Sequence, residues 1–204
     1  MEAEKPTNSN TEVEIIKNKP QTNWEVFWEL VRFAAIAVLI VLPIRMYIAQ
    51  PFIVSGSSMF PTFMDGEYLI VDELSYHLGN PKRNEVIIFR YPNDHKKYFI
   101  KRVIGLPNET VDIKGSKVTI SNTENKEGFV LDQPYVKNTS ENAAHYELKD
   151  NEYFVMGDNR NASSDSRVWG PVTKDLIIGR AFLRLFPANK IESFPGAYEE
   201  DIKN

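Results

Sequence analysis

Four consecutive residues, Ser55-Gly56-Ser57-Ser58, carry the first sign of chemistry in this sequence. They have the composition of a tight turn, and Pro61 stiffens the chain three residues after Ser58. A serine hydroxyl presented on such a turn becomes a nucleophile when a neighbouring base takes its proton. The remaining sequence therefore has to supply that base.

Composition limits the candidate bases and the kinds of site. The chain lacks cysteine, which excludes thiol catalysis, disulfides and cysteine-rich zinc sites. Its 24 Lys and Arg against 28 Asp and Glu give a net charge of -4, so no basic domain indicates a nucleic-acid partner. None of the histidines, His77, His95 and His145, has a second histidine at metal-ligand spacing. We therefore expect no metal and no cofactor, and a Ser-His-Asp triad would have to recruit one of these scattered residues.

Lysine is the other candidate base, provided that it is neutral. A lysine with its ordinary pKa of about 10.4 is protonated at neutral pH, and burial lowers that pKa by several units. Lys101 interrupts the apolar strand pattern of residues 98–104, where alternation puts Phe99 and Val103 on its face. The strand pattern alone favours a solvent-exposed lysine, and the alternative is a half-buried lysine with a depressed pKa.

A third segment, residues 157–170, is dense in turn formers and hydroxyl groups. Its aspartates and arginines can pair across a tight loop. By itself the segment is also typical of a polar surface loop, which Trp169 and Gly170 would return to the core.

Short strands are the elements that must position these three segments. Six apolar stretches are rich in β-branched or aromatic residues, and turn formers such as Asp65-Gly66 separate them. They cover residues 68–71, 86–89, 98–104, 111–113, 117–120 and 153–156. Many short strands with few helical periods predict a mostly β fold, an antiparallel sandwich- or barrel-like catalytic domain. We expect this domain to span residues 51–196, with a surface insertion at 121–150 and a C-terminal tail at 197–204.

The N-terminal part predicts a polar cytoplasmic tail at residues 1–23 and a membrane anchor helix at 24–50. Residues 33–42 are ten consecutive apolar residues, and the span lengthens if Arg32 and Arg45 reach the two membrane interfaces. A cleavable signal peptide and a buried or interfacial helix are the alternatives.

Basic residues indicate the orientation of that anchor. Lys17, Lys19 and Arg32 precede the apolar run, whereas Arg45 alone lies at its far end. This bias places the N-terminus in the cytoplasm and the bulk of the protein outside.

Taken in order, these segments resemble the bacterial type I signal peptidases, the membrane-bound Ser/Lys endopeptidases that remove signal peptides from exported proteins. The resemblance runs from about residue 24 to residue 194. As in the family, a membrane segment comes first and three short sequence motifs, or boxes, follow it. These are a Ser-Met-x-Pro-Thr box at 58–62, a Lys-Arg box at 101–102 and a Gly-Asp-Asn-Arg box at 157–160. The resemblance implies a single-pass protein of the plasma membrane, with the lipid bilayer and the signal peptides of secretory preproteins as partners.

The resemblance also implies roles for individual residues. Ser58 would be the nucleophile and Lys101 the general base, acting on the serine in acylation and on water in deacylation. Ser163 falls where the family has a serine that hydrogen-bonds and orients the lysine. Two structural polar pairs are implied near the site: Asp165 with Arg167, and Asp158 with Arg102.

One departure concerns the oxyanion of the reaction. Some family members carry a hydroxyl two positions before the nucleophile, where this chain has Gly56. The oxyanion would then rely on backbone amides, chiefly that of Ser58, with Ser57 helping. This glycine and the single anchor resemble the Gram-positive form of the family.

The resemblance implies a substrate cleft as well. In the family an extended substrate lies between two strands, and shallow apolar pockets accept small residues one and three places before the cut. The substrate-binding positions implied here are Phe52, Val54, Met59, Ile88, Phe99 and Ile100. Their bulk would exclude large side chains and select small-x-small sequences, although such residues are also typical of plain β core.

Two rival functions fit parts of the pattern. The self-cleaving repressors share the Ser/Lys β-fold, but residues 1–50 have no helix-turn-helix pattern and no basic face. The other alternative is an inactive membrane-anchored homologue or an assembly protein. The presence of Ser58, Lys101 and Ser163 together argues against it.

Overall fold

The computed structural model describes residues 22–47, 49–137 and 143–198. Contacts divide the chain into two compact units, residues 1–41 and 42–204. The predicted tails at 1–23 and 197–204 lie almost wholly outside the described residues.

The first long element is helix α1, Asn23–Tyr47. Its N-terminus is closed by a reciprocal capping box, in which the Glu25 amide donates to Thr22 Oγ1 and the Thr22 amide donates to the Glu25 carboxylate. Most of the apolar side chains between Trp24 and Leu42 are exposed, and the rings of Trp24, Phe27 and Trp28 pack together. Among the described residues, no helix has the combined length and hydropathy that crossing a bilayer demands.

The rest of the described chain is mostly antiparallel β structure in two sheets, as the sequence predicts. Two short helices, α2 (Leu74–Leu78) and α3 (Ser166–Trp169), accompany the strands. The strands are β1 (Ala49–Ile53), β2 (Tyr68–Asp72), β3 (Val86–Tyr91), β4 (Asp94–Gly105), β5 (Thr110–Lys114), β6 (Lys117–Ser121), β7 (Phe129–Val130), β8 (Ala143–Glu147), β9 (Glu152–Met156), β10 (Val172–Thr173), β11 (Ile177–Phe186) and β12 (Glu192–Ser193).

The larger sheet has the order β1-β2-β11-β3-β4-β9-β10, with β12 paired to β11. All six strands expected from the sequence are present, four of them in this sheet. The ten-residue strand β11 was not expected, because Gly179, Arg180 and Arg184 break the apolar alternation of a central strand. The arginines are tolerated because Arg180 pairs with Asp72 and Glu85, while Arg184 pairs with Glu67 and Glu192.

The smaller sheet has the order β7-β6-β5-β8 and corrects the expected surface insertion at 121–150. That segment supplies β7 and β8, and β8 pairs along β5 from Thr110 to Lys114. Leu131 and Leu148, on either side of residues 138–142, are 3% and 6% exposed in the core of this sheet. The segment looks polar because β8 has exposed side chains alternating with side chains that are only half-buried.

Candidate active site

The loop between β1 and β2 carries Ser58. The Gly56 amide donates to Asp65 Oδ1 at 2.7 Å, and Gly56 has a φ of +88°, a conformation that favours glycine. Met59 and Phe63 are 1% and 0% exposed in the core beneath the loop. These contacts fix the loop on both sides of Ser58.

Strand β4 brings Lys101 to that serine. Its Nζ lies 2.8 Å from Ser58 Oγ and also donates to the Ile100 carbonyl oxygen at 2.8 Å. The Phe99 ring lies 5.2 Å from Nζ, and the lysine side chain is 4% exposed. The solvent-exposed lysine that the strand pattern favours is therefore not what the structure contains.

Burial changes the ionisation of this lysine. Desolvation lowers the pKa of Lys101 to about 8, although the negative charges of Asp165 and Asp158 oppose that shift. A substantial fraction of the lysine is thus neutral slightly above neutral pH. A neutral amine at this distance can accept the proton of the serine hydroxyl.

The segment after β9 packs directly against the serine loop. A Cβ added at Gly157 would lie 2.4 Å from the Ser58 carbonyl oxygen and 2.3 Å from Ser163 Oγ. The Asn159 amide donates to that Ser58 carbonyl at 3.0 Å, and Asn159 Nδ2 donates to the Ser57 carbonyl at 3.1 Å. A glycine at 157 is therefore required by close approach of two chain segments.

Ser163 is placed beside the site without the hydrogen bond that was expected. Its Oγ is buried and, within the part of the chain that the structure describes, forms no hydrogen bond of ordinary geometry. The hydroxyl nevertheless helps to lower the pKa of the Asp165 carboxyl. Lys101 donates instead to Ser58 and to its own preceding carbonyl.

A buried carboxylate holds the end of the same segment. Asp165 is 0% exposed, accepts the Gly157 amide at 3.0 Å and pairs with the Arg167 guanidinium at 2.8 Å. Burial would raise the pKa of Asp165, but the bonds and charge of Arg167 outweigh it and hold that pKa below its usual range. The carboxylate therefore stays ionised and fixes the turn that leads back to Gly157.

A second buried pair joins β4 to this segment. The Arg102 guanidinium donates to both oxygens of Asp158, from Nε at 2.8 Å and from Nη2 at 2.6 Å, with the side chains 0% and 1% exposed. Thr62 Oγ1 donates to the same carboxylate at 2.5 Å. One carboxylate therefore ties together all three segments that the sequence singled out.

The enclosure of Arg102 involves residues that sequence reasoning missed. Its Nη1 donates to the carbonyl oxygens of Asn84 and Gly196, and its guanidinium lies 3.9 Å from the Tyr135 ring centroid. Two of these contacts are made by backbone carbonyls, which leave no mark on residue type. Only the aromatic ring of Tyr135 could have drawn attention, and it lies in the segment taken for an insertion.

An apolar cleft of about 290 Å³ opens beside Ser58 and Lys101. Five of the six predicted substrate-binding residues line it, namely Phe52, Val54, Ile88, Phe99 and Ile100. Met59 is the exception, since its side chain packs into the core below the loop and does not reach the cleft. Lining residues that the sequence did not single out include Leu69, Tyr98, Ala162 and Ser164.

The cleft runs along a strand edge without a described partner strand. Strand β4 pairs with β3 from Asp94 to Arg102, but β9 pairs only with the stretch from Arg102 to Gly105. Residues 94–101 of β4 therefore offer backbone donors and acceptors on the side away from β3. An extended peptide can pair with such an edge.

The histidines lie elsewhere. His77 Nδ1 contacts the Glu73 carbonyl, and His145 pairs with the Asp112 carboxylate at an exposed position. His95 is exposed in the outer part of β4. The side chain hydrogen-bonded to Ser58 Oγ is Lys101.

Comparison with known proteins gives consistent matches. The family model described as "Signal peptidase, peptidase S26" matches residues 27–186. A probable signal peptidase I-1 of Synechocystis is 34% identical over 183 residues, covering 86% of this chain and 91% of the relative. Signal peptidase I T of Bacillus subtilis is 34% identical over 196 residues, covering 90% and 95%. A solved signal peptidase I from Enterococcus faecalis aligns at 27% identity with a TM-score of 0.42, over 50% of this chain and 97% of that one.

Proposed function

The chain belongs to the S26 family of signal peptidases, and we propose that it cleaves N-terminal signal peptides with Ser58 as nucleophile and Lys101 as general base. The observation that carries the proposed roles is the 2.8 Å contact between Ser58 Oγ and a lysine that is 4% exposed. An exposed lysine at the same distance would be protonated and could not accept a proton.

The proposed reaction has two steps at one serine. Lys101 Nζ takes the proton of Ser58 Oγ, which bonds to the carbonyl carbon of the scissile peptide, and the lysine then gives that proton to the leaving amine. The oxyanion of the tetrahedral intermediate is stabilised by the Ser58 backbone amide, with Ser57 assisting. Lys101 next deprotonates a water molecule, whose oxygen bonds to the acyl carbon. The bond from that carbon to Ser58 Oγ then breaks, Lys101 returns the proton to Oγ, and the cleaved signal peptide leaves with a free carboxylate.

We propose that the signal peptide binds as an added strand along residues 94–101 of β4. Main-chain hydrogen bonds to a strand edge are independent of side chains, so selection must come from the pockets below. Phe52, Ile88 and Ile100 line the cleft and pack in one apolar cluster, and we expect their bulk to leave room only for small side chains. This arrangement supports a preference for small residues one and three places before the cut.

We further propose that α1 attaches the protein to the plasma membrane. Phe33 and Leu39 are 73% and 74% exposed on this helix, which leaves apolar surface that water solvates poorly. Trp24 and Trp28 are suited to the interface between lipid and water. Lys17, Lys19 and Arg32 favour a cytoplasmic N-terminus and an extracytoplasmic catalytic domain.

Cleavage of a secretory precursor by the detergent-solubilised protein tests the proposed dyad. Ser58→Ala and Lys101→Ala should each reduce cleavage by at least about a thousandfold, and the double variant should be scarcely slower, because nucleophile and base act as a unit. Lys149→Ala is the matched control, since this lysine lies outside the cleft and outside the proposed peptide-binding edge, with a side chain 82% exposed. Its activity should equal that of the wild type.

Each outcome has a definite meaning. Substantial activity in Lys101→Ala, with the fold intact by circular dichroism, would end the role of this lysine as base. A wild-type protein that cleaves no precursor would favour the alternative of an inactive homologue or an assembly protein.

A further inference from the structure

The peptide unit between Ser57 and Ser58 is held from one side by a residue with no role so far. Asn159 Nδ2 donates to the Ser57 carbonyl oxygen at 3.1 Å. The Asn159 amide donates to the Ser58 carbonyl oxygen at 3.0 Å. Asn159 is 9% exposed, so both bonds are shielded from competing water.

Because the peptide unit between Ser57 and Ser58 is planar, the hydrogen bond to the Ser57 carbonyl also fixes the direction of the Ser58 N–H. The cis bonds of the described chain precede Pro61 and Pro187, so the bond between Ser57 and Ser58 is trans. In a trans peptide the C=O and the following N–H point in opposite directions. Fixing the Ser57 carbonyl toward Asn159 therefore turns the Ser58 N–H away from Asn159.

Ser57 and Ser58 line the cleft, whereas Asn159 does not. We take the direction away from Asn159 as the direction into the cleft. An amide directed into the cleft beside Ser58 Oγ is the donor that the oxyanion requires, because the oxyanion forms next to the bond made by Oγ.

We infer that Asn159 is a positioning residue: by donating a hydrogen bond to the Ser57 carbonyl oxygen, it orients the Ser58 amide toward the oxyanion. The inference rests on the proposed function and adds to it a residue that acts through the backbone. The Phe60 amide also donates to the Ser57 carbonyl, at 3.1 Å, but it belongs to the same loop and moves with it. Asn159 is the contact that fixes the peptide relative to the rest of the site.

The inference predicts a specific kinetic signature for Asn159→Ala. Loss of the bond from Asn159 to the Ser57 carbonyl should misdirect the Ser58 amide and weaken its bond to the oxyanion, which forms only in the transition state. We therefore expect kcat to fall about tenfold and KM to stay unchanged. The pH midpoint of kcat should stay that of the wild type, because the contacts of Lys101 are not altered. Asn161→Ala is the matched control, since it removes an exposed amide from the same segment, and it should be fully active.

A pair of inhibitors separates the oxyanion from ordinary binding. A peptide aldehyde ending in alanine adds Ser58 Oγ–H across its carbonyl and places an oxygen where the oxyanion forms. The matching peptide alcohol has no carbonyl there and binds only through the cleft. In Asn159→Ala the aldehyde should bind about tenfold more weakly, whereas affinity for the alcohol should not change.

Several results would overturn the inference. These are an unchanged kcat, a shifted pH midpoint, or equal weakening of aldehyde and alcohol. If Asn159→Ala does not fold, Asn159→Asp decides, because it keeps the shape and lacks the donor when ionised; full activity at about pH 8 would then reject the inference. Wild-type cleavage and its loss in Ser58→Ala are measured in the same series, so failure of the proposed function would be recognised separately.

Discussion

The side chain of Lys101 has two acceptors at 2.8 Å, Ser58 Oγ and the Ile100 carbonyl oxygen, and little access to water. Two bonds do not compensate for the hydration that an ammonium loses on burial, so its pKa falls to about 8. The sequence predicted Lys101 as a candidate from its apolar neighbours. It could not decide between an exposed and a buried lysine, because the covering loop lies 43 residues away along the chain.

The rate of cleavage should follow the ionisation of this lysine. The protonated ammonium cannot accept the serine proton, so kcat/KM should rise with pH through one ionisation near 8 and level off above it. A histidine base would give a rise in kcat/KM with its midpoint at about pH 6.5. Rates measured from about pH 6 to 10 on a fixed precursor test this, and a profile already flat at about pH 7 would exclude Lys101 as the base.

Ser163 allows a prediction in which two roles give opposite results. A merely structural Ser163 would leave Ser163→Ala fully active, whatever change in thermal stability follows from removing a buried hydroxyl that interacts with Asp165. If the hydroxyl orients Lys101 during the reaction, Ser163→Ala should lower turnover at least about tenfold, and Ser163→Thr should retain part of it. Turnover and thermal unfolding of both variants, measured together, separate the roles. Full activity in the alanine variant would mean that another group orients the lysine.

At the scale of elements, the site is the meeting point of three chain segments: the loop after β1, strand β4 and the segment after β9. The six predicted strands are present because their β-branched runs and flanking turns are local signals. Strand β11 and the strands of residues 121–150 were missed because they depend on distant partners. Arg180 becomes compatible with a central strand only through Asp72 and Glu85, which no local pattern reveals.

The tightest contact between these elements is at Gly157. We expect Gly157→Ala to force the segment after β9 away from Ser58 and to displace Ser163 within that segment, since the new Cβ would lie within 2.4 Å of both residues. Overpacking of this kind costs about 1–3 kcal/mol of stability. Cleavage should fall by more than about a hundredfold, because misplacement of a catalytic group by about 1 Å has an effect of that size.

Gly79→Ala is the control for that substitution. It adds the same methyl group at the exposed end of α2, where the nearest atom would be the Ser75 carbonyl oxygen at 3.3 Å. This variant should cleave the precursor at the wild-type rate. Equal activity of Gly157→Ala and the wild type would show that the serine loop and the segment after β9 can move apart without loss of cleavage.

At the scale of the whole molecule, the chain combines a helix with many exposed apolar side chains and a mostly β domain that contains the site. The boundary between the two contact units falls after Val41, so most of α1 belongs to the first unit and the β strands belong to the second. Attachment to a membrane is thus a property to be tested on intact cells.

The proposed topology makes a direct prediction. External protease on intact cells should digest the catalytic domain and leave only a short, protected N-terminal fragment, because Lys17, Lys19 and Arg32 favour a cytoplasmic N-terminus. Antibodies against tags at each end, with and without permeabilisation, provide the measurement. Protection of the large C-terminal portion would reverse the topology and exclude exported preproteins as substrates.

The bond from Arg102 to the Gly196 carbonyl oxygen spans 94 residues of sequence. A ribosome therefore releases the nucleophile, the base and the Asp158 segment well before residue 196 can close over the guanidinium. A nascent chain at that stage has every reacting group, but its ion pair between Arg102 and Asp158 is not yet covered by residue 196. Because that pair joins β4 to the segment after β9, we expect a chain that stops before residue 196 to hold Lys101 less firmly against Ser58 than the full-length chain does.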